Sequence, residues 1–175
     1  MNLLAVTTLG DDRPGVIAAV SAVLLTAGCN IEESAMTRLR GEFAMMLVVQ
    51  SPMNAPDLND ALRDVSGELG LIVHVRPASE GLGDSGGRLF TVSVYGADHP
   101  GIVHAVTTLL AARAINVVDV VTHVLDPDGT PVYVMALEVV VPVTTDVDEA
   151  TDALAALAAE QGVDASMRPV ESETL

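Results

Sequence analysis

Two hexapeptides hold the residue types from which a binding site can be built: Gly10-Asp11-Asp12-Arg13-Pro14-Gly15 and, 86 positions later, Gly96-Ala97-Asp98-His99-Pro100-Gly101. Glycine at both ends of such a loop lets a backbone approach a bound group closely. Where the loop runs into a helix, the first turn presents N–H groups with no intrahelical acceptor, and these hold a carboxylate or another anion. Asp11, Asp12 and Asp98 offer acceptors for an ammonium group, and Asn30 and Asn116, at matching places downstream, offer amide oxygens. The same residues have a second use. Asp-x-Pro-Gly turns a strand into a helix, with Asp and Pro serving initiation, and an Asn after a helix bonds its own backbone in a turn. Residue types alone leave both uses open.

Other chemistry is sparse. His99 and His104 lie five apart across a helix start rather than the three or four that puts helical metal ligands on one face, and His74 and His123 are isolated. Asp146, Asp148 and Glu149 gather near a helix start, where carboxylates suit the dipole. Ser21 and Thr107 fall within helices without a nucleophile turn, and neither a phosphate loop nor a dinucleotide fingerprint occurs. Met45-Met46 is expected to fill core space, and the single Cys29 to pack rather than react. The expectation is a protein that is not an enzyme and uses no cofactor and no metal.

The elements that position the hexapeptides come in two copies. At the shift of 86, nine of the 28 positions in 4–31 are identical, and Val16, Ile17, Val20, Val23 and Leu24 fall on Ile102, Val103, Val106, Leu109 and Leu110. Further on, Pro52 matches Pro142 at a shift of 90, and Arg76-Pro77 matches Arg168-Pro169 at 92. Each copy reads as strand, helix, strand, strand, helix, strand. Leu4 and Val6 alternate, as Phe90, Val92 and Val94 do, and open each copy with a half-buried strand. The apolar set at 16, 17, 20, 23 and 24 has helical spacing, with Pro14 at or near the first helical position. Hairpins follow over 30–39 and 43–50, and over 116–125 and 132–141. The first turns around Gly41 and the second near Asp126-Pro127-Asp128-Gly129. Leu58, Leu62, Val65 and Leu69 mark one face of a second helix, matched by Val147, Ala150, Leu154 and Leu157. Gly70 and Gly162 stop these helices before the short closing strands 71–75 and 163–167.

The fold class expected is α+β: two ferredoxin-like βαββαβ domains, each a four-stranded antiparallel sheet with two helices on one face. The boundaries are 1–77 and 88–170, with a flexible Gly- and Ser-rich linker at 78–87 and a tail at 171–175. A unit of about 80 residues is marginal as a lone core, so packing between copies or between chains, and hence a homodimer, is expected.

Composition excludes whole classes of partner. The chain carries 24 acidic residues against 8 basic ones, all arginine, for a formal charge of -16 over 175 residues. A nucleic-acid binder needs a basic stripe to displace counterions, and an anionic membrane asks for the same, so neither is an expected partner. With two Phe, two Tyr and no Trp, stacking platforms for bases are missing too. The opening Met1-Asn2-Leu3-Leu4 has no positively charged leader, which points to the cytoplasm.

A strand, then Gly-x-Asp-x-Pro-Gly, then an apolar helix, then Asn-Ile or Asn-Val leading a strand, resembles the ACT domain pattern over nearly the whole chain. Asp12-Arg13-Pro14-Gly15-Val16 with Ala27-Gly28-Cys29-Asn30-Ile31 looks like the ACT domains of formyltetrahydrofolate deformylases, bacterial phosphoserine phosphatases and glycine cleavage system transcriptional repressors. Two such domains with no catalytic domain appended are most similar to the repressor family. The resemblance implies a regulatory protein that binds a small amino acid, glycine being one candidate, at interfaces near the first loop and helix, and that signals to a protein partner. It implies a ligand site at Gly10, Asp11, Asp12, Arg13, Pro14, Gly15, Val16 and Asn30. The second copy offers Gly96, Asp98, His99, Pro100, Gly101, Ile102 and Asn116. Ala97 for Asp11 and His99 for Arg13 make the two sites inequivalent. A structural or interaction module without a small ligand is the alternative.

If the chain represses transcription, it acts through a protein partner. Duplex DNA titrated at physiological salt should show no measurable binding, and tight, salt-sensitive binding would contradict the charge argument.

Overall fold

The computed structural model describes residues 1–79, 86–126 and 131–170. Residues 80–85 of the expected linker, 127–130 of the second hairpin turn and the tail 171–175 lie outside the described residues. The chain divides into two units, Met1–Gly83 and Asp84–Leu175, each with its own sheet and core.

The first unit runs β1 (Asn2–Asp11), α1 (Val16–Thr26), β2 (Asn30–Leu39), β3 (Glu42–Ser51), α2 (Ala55–Ala61), α3 (Arg63–Leu69) and β4 (Ile72–Pro77). The second runs β5 (Arg88–Ala97), α4 (Ile102–Ala111), β6 (Asn116–Leu125), β7 (Val132–Val141), α5 (Val147–Gln161) and β8 (Val163–Pro169). Strand orders are β2-β3-β1-β4 and β6-β7-β5-β8, every pair antiparallel. This is the ferredoxin-like α+β arrangement that the repeat implied.

Strand alternation decides what each residue does. Along β3, Phe43, Met45, Leu47 and Val49 are buried while their neighbours are not, because the helices cover one face of the sheet. The methionine pair is therefore split: Met45 is in the core at 5% exposure and Met46 stands on the open face at 47%, so only one fills core space as expected. Val16, Val20 and Leu24 of α1 and Ile102, Val106 and Leu110 of α4 recur every fourth residue and close the cores. Burying a side chain such as Leu24 or Leu110 contributes about 1.5–3 kcal/mol.

The second helix of the first unit is two short helices rather than one. They meet at Leu62, whose ψ of -4 departs from the helical value, although Leu62 N–H still donates to the Leu58 carbonyl and Ser66 N–H to the Leu62 carbonyl. Ser66 and Gly67 are weak helix formers there, and Ser66 Oγ donates to the Arg63 carbonyl. The alanine-rich α5 runs unbroken.

The edge strands β2 and β6 are exposed along almost their whole length. On β6 this leaves Val118, Val120, Val121, Val124 and Leu125 in contact with water.

Close approach explains the first glycine of each hexapeptide. A β-carbon at Gly10 would stand 2.7 Å from Leu71 Cδ2, and one at Gly96 would stand 2.9 Å from the Val163 Cα. The first obstacle is the tip of a rotatable side chain; the second is backbone. Gly96→Ala should cost about 1–3 kcal/mol and Gly10→Ala less, read from urea unfolding of the full chain. The reverse order would contradict this account of strand packing.

Candidate functional site

Each unit starts its first helix at a glycine. Gly15 caps α1 with φ 95 and Gly101 caps α4 with φ 105, and neither helix start receives a side-chain hydrogen bond. Only glycine enters this left-handed region without strain. Pro14 and Pro100 thus precede the cap instead of occupying the first helical position, and the neighbouring aspartates do not cap. The second helices differ: Asn54 Oδ1 accepts from Asp57 N–H, and Asp146 Oδ1 accepts from Asp148 and Glu149 N–H.

The uncapped starts leave donors free. In α1 the ladder begins with Ala19 N–H to the Gly15 carbonyl at 2.8 Å, and Val16 N–H reaches the Arg13 carbonyl at 3.4 Å. Ile17 and Ala18 N–H then have no acceptor among the described residues. In α4 the ladder begins with Ala105 N–H to the Gly101 carbonyl at 2.9 Å, so Ile102, Val103 and His104 N–H have none. Anions are stabilised at such a terminus by the donors and the helix dipole together.

A shallow hollow lies over each start. In the first unit Asp12 to Ala18 line it together with Met36 and Phe43; in the second, His99 to His104 line it with Tyr133. Gly10 opposes Phe43 in the sheet and Gly96 opposes Tyr133, which brings the two aromatic residues to matching places. Burial, followed by the nearby Asp98 charge, raises the Tyr133 pKa, so the phenol stays protonated.

The residue before each proline ties the loop to the end of the second helix. Arg13 Nη2 donates to the Leu69 carbonyl at 2.6 Å. His99 Nε2 lies 2.7 Å from the Gln161 carbonyl, and its Nδ1 lies 3.1 Å from the Pro100 carbonyl. Leu69 and Gln161 end α3 and α5, where a cation also suits the dipole. On the other side, Asp12 N–H donates to the Gly41 carbonyl at 2.7 Å, and the Asp12 carboxylate accepts from Arg38 at 3.1 Å. Asp11 lies 3.7 Å from Arg13. Val124 stands where the repeat would place a counterpart of Arg38, and Asp98 has no ion-pair partner among the described residues.

The site residues expected from sequence are thus partly assembled. Asp12 to Val16 come together, as do His99 to Ile102, although the Val16 and Ile102 side chains point into the cores and leave only backbone at the hollows. Asn30 and Asn116 stand apart. Asn30 opposes Gln50, which opposes Leu3, seven residues along β1 from Gly10 and so about 23 Å away. Asn116 is displaced likewise through Val140 and Leu89. Gly10 and Gly96 turn their α-carbons toward Leu71 and Val163, so close strand packing accounts for them. Sequence reasoning missed Ile17, Ala18, Met36, Phe43, Val103, His104 and Tyr133; a helix start fixed at Gly15 and a strand register would have found most of them. No group of three His, Cys, Asp or Glu that could hold a metal occurs among the described residues, and no helix there is long and apolar enough to cross a membrane.

Arg13 is permanently charged, whereas His99 titrates. A neutral imidazole donates from one nitrogen only, while the imidazolium donates to both carbonyls. The bonds to the Pro100 and Gln161 carbonyls, aided by Asp98 and opposed by partial desolvation, raise the His99 pKa above 6.5. Because the folded pKa is the higher one, the contribution is complete below 6.5 and is lost as pH rises through the raised value. The melting temperature should fall across that window, and His99→Arg should remove this component. Equal pH dependence in both proteins would contradict the clamp.

ACT domain models match residues 2–76 and 90–160. The glycine cleavage system transcriptional repressor of Escherichia coli K12 is 25% identical over 172 residues, covering 97% of this chain and 90% of its own length. A UPF0237 protein of Methanopyrus kandleri is 37% identical over 79 residues, covering 43% of this chain and 88% of its own. Among solved structures, a protein of unknown function from Galdieria sulphuraria is 30% identical with a TM-score of 0.83, covering 97% of this chain and 99% of that one. A structure assigned as a glycine cleavage system transcriptional repressor shares the fold at 22% identity and a TM-score of 0.76, covering 98% of each chain. With models matched in both units and each unit folded as a four-stranded antiparallel sheet in the ferredoxin-like order, the chain belongs to the ACT domain family as a tandem ACT protein related to the glycine cleavage system repressor.

Proposed function

We propose that this chain is a non-catalytic, cytoplasmic regulator that binds a small amino acid at the starts of its first helices and passes the binding on to a protein partner. The observation that carries this reading is the contrast in capping: both second helices have side-chain caps, while both first helices start at a bare glycine with free N–H donors beneath a hollow. A ligand carboxylate satisfies those donors. The second unit is the better site, because Ile102, Val103 and His104 offer three free N–H groups there and Asp98, free of an arginine, is open to the ligand's ammonium group. Glycine is the first candidate, since the E. coli relative is named for the glycine cleavage system.

The chain is a homodimer in this reading. The β6 edge supports it: apart from Asp119 at the bulge near its start, the strand exposes Val118, Val120, Val121, Val124 and Leu125 with no charged residue among them. The same edge favours the second reading, an interaction module without a small ligand.

A melting panel of the twenty amino acids separates the readings, because a ligand that prefers the native state raises the melting temperature by mass action. Bulky replacements at Gly15 or Gly101 are poor probes, since their φ values strain any other residue. Ala18 and His104 are better: both are exposed in the first turn, and a glutamate there suits the dipole. Ala18→Glu with His104→Glu should raise basal stability by about 0.3–1 kcal/mol per helix and weaken the amino acid about tenfold, measured by calorimetry. Unchanged affinity in that variant, or no response to any of the twenty, would overturn the ligand reading.

A further inference from the structure

On the helical side of the first unit, an apolar groove runs between α1 and α3. Val23, Ala27, Met53 and Val65 form its half-buried floor, and Asp64 and Glu68 stand exposed on its rim. Four residues apart, the two carboxylates share a helix face, and neither has an ion-pair partner among the described residues.

The second unit indicates what fills such a place. Val23, Ala27 and Val65 correspond to Leu109, Arg113 and Leu157. Leu109 and Leu157 pack against that unit's core, and Arg113 crosses to α5 and donates to Glu149 Oε1 at 3.1 Å. The first unit has lost a carbon at each aliphatic position and the entire guanidinium at the third. Its rim carboxylates are a separate feature, since at the shift of 92 Asp64 matches Ala156 and Glu68 matches Glu160, while Glu149 matches Asp57.

We propose that this groove docks a positively charged amphipathic helix of another protein. Aliphatic residues of that helix occupy the space that Leu109 and Leu157 fill in the second unit, and its cations meet Asp64 and Glu68 on the rim. A second copy of this chain is a poor occupant, because among the described helices Arg63 is the only arginine or lysine, so the chain has no basic helix to offer. The proposal rests on the reading of the chain as a regulator that acts through a protein, but it uses a different surface from the first-helix hollows.

The test is fluorescence anisotropy of the full chain with a labelled synthetic helix carrying leucines at i, i+4 and i+7 flanked by arginines. The same peptide with glutamate for arginine serves as the comparison. The basic peptide should bind and the acidic one should not. Ala27→Arg, which supplies the missing guanidinium from within, and Glu68→Arg should each weaken binding about tenfold without lowering the melting temperature. Glu160→Arg, at the matching place in the second unit, should leave it unchanged. Equal weakening by Glu160→Arg would mean diffuse attraction to an acidic surface and would overturn the proposal. So would undiminished binding to both groove variants, or a change of oligomeric state in Ala27→Arg without peptide binding. The amino-acid melting response of Ala27→Arg separates a failure here from a failure of the ligand reading.

Discussion

Much of this structure depends on the left-handed glycine at which each first helix begins. Four residues separate the end of β1 at Asp11 from Val16, and in that span the chain must turn so that Val16, Val20 and Leu24 face the sheet. A φ of 95 at Gly15, or 105 at Gly101, makes the turn possible. The same requirement removes the side chain that would otherwise cap the helix, so the geometry that closes the core also leaves donors free at the surface. Fold-making and anion binding are two outcomes of one backbone conformation.

The loops are then held from both sides. Arg13 reaches the end of α3, and the Asp12 backbone and carboxylate engage Gly41 and Arg38 across the hairpin. In the second unit His99 performs the first of these tasks at the end of α5. The second loses its charged part, since valine stands at 124. Conserving the backbone while exchanging the charges makes the units geometrically alike and electrostatically distinct: one loop is held by a fixed charge, the other by a titrating one.

The same division recurs between the helices. Arg113 crosses from the end of α4 to Glu149, whereas Ala27 leaves the corresponding place open beside Asp64 and Glu68. Duplicated units that bury equivalent stripes tolerate such exchanges because the changed residues lie at helix ends and half-exposed faces, outside the fully buried cores.

The repeat, its strand and helix periods and the excess of acid were legible in the sequence because burial of one face imposes a period on each element directly. The order βαββαβ follows from those periods, and the hairpin spans 116–125 and 132–141 coincide with β6 and β7. Three things were decided only in three dimensions. Register placed Asn30 and Asn116 at the far end of the sheet from the hexapeptides they match in order, and it placed Phe43 and Tyr133 beside them. Backbone dihedrals moved the helix starts past Pro14 and Pro100 to the glycines, which a propensity argument for proline does not foresee. Long-range hydrogen bonds made Arg13 and His99 clamps on α3 and α5, linking residues 56 and 62 positions apart. A local pattern specifies what an element buries; which distant carbonyl meets a side chain is set by how the elements pack.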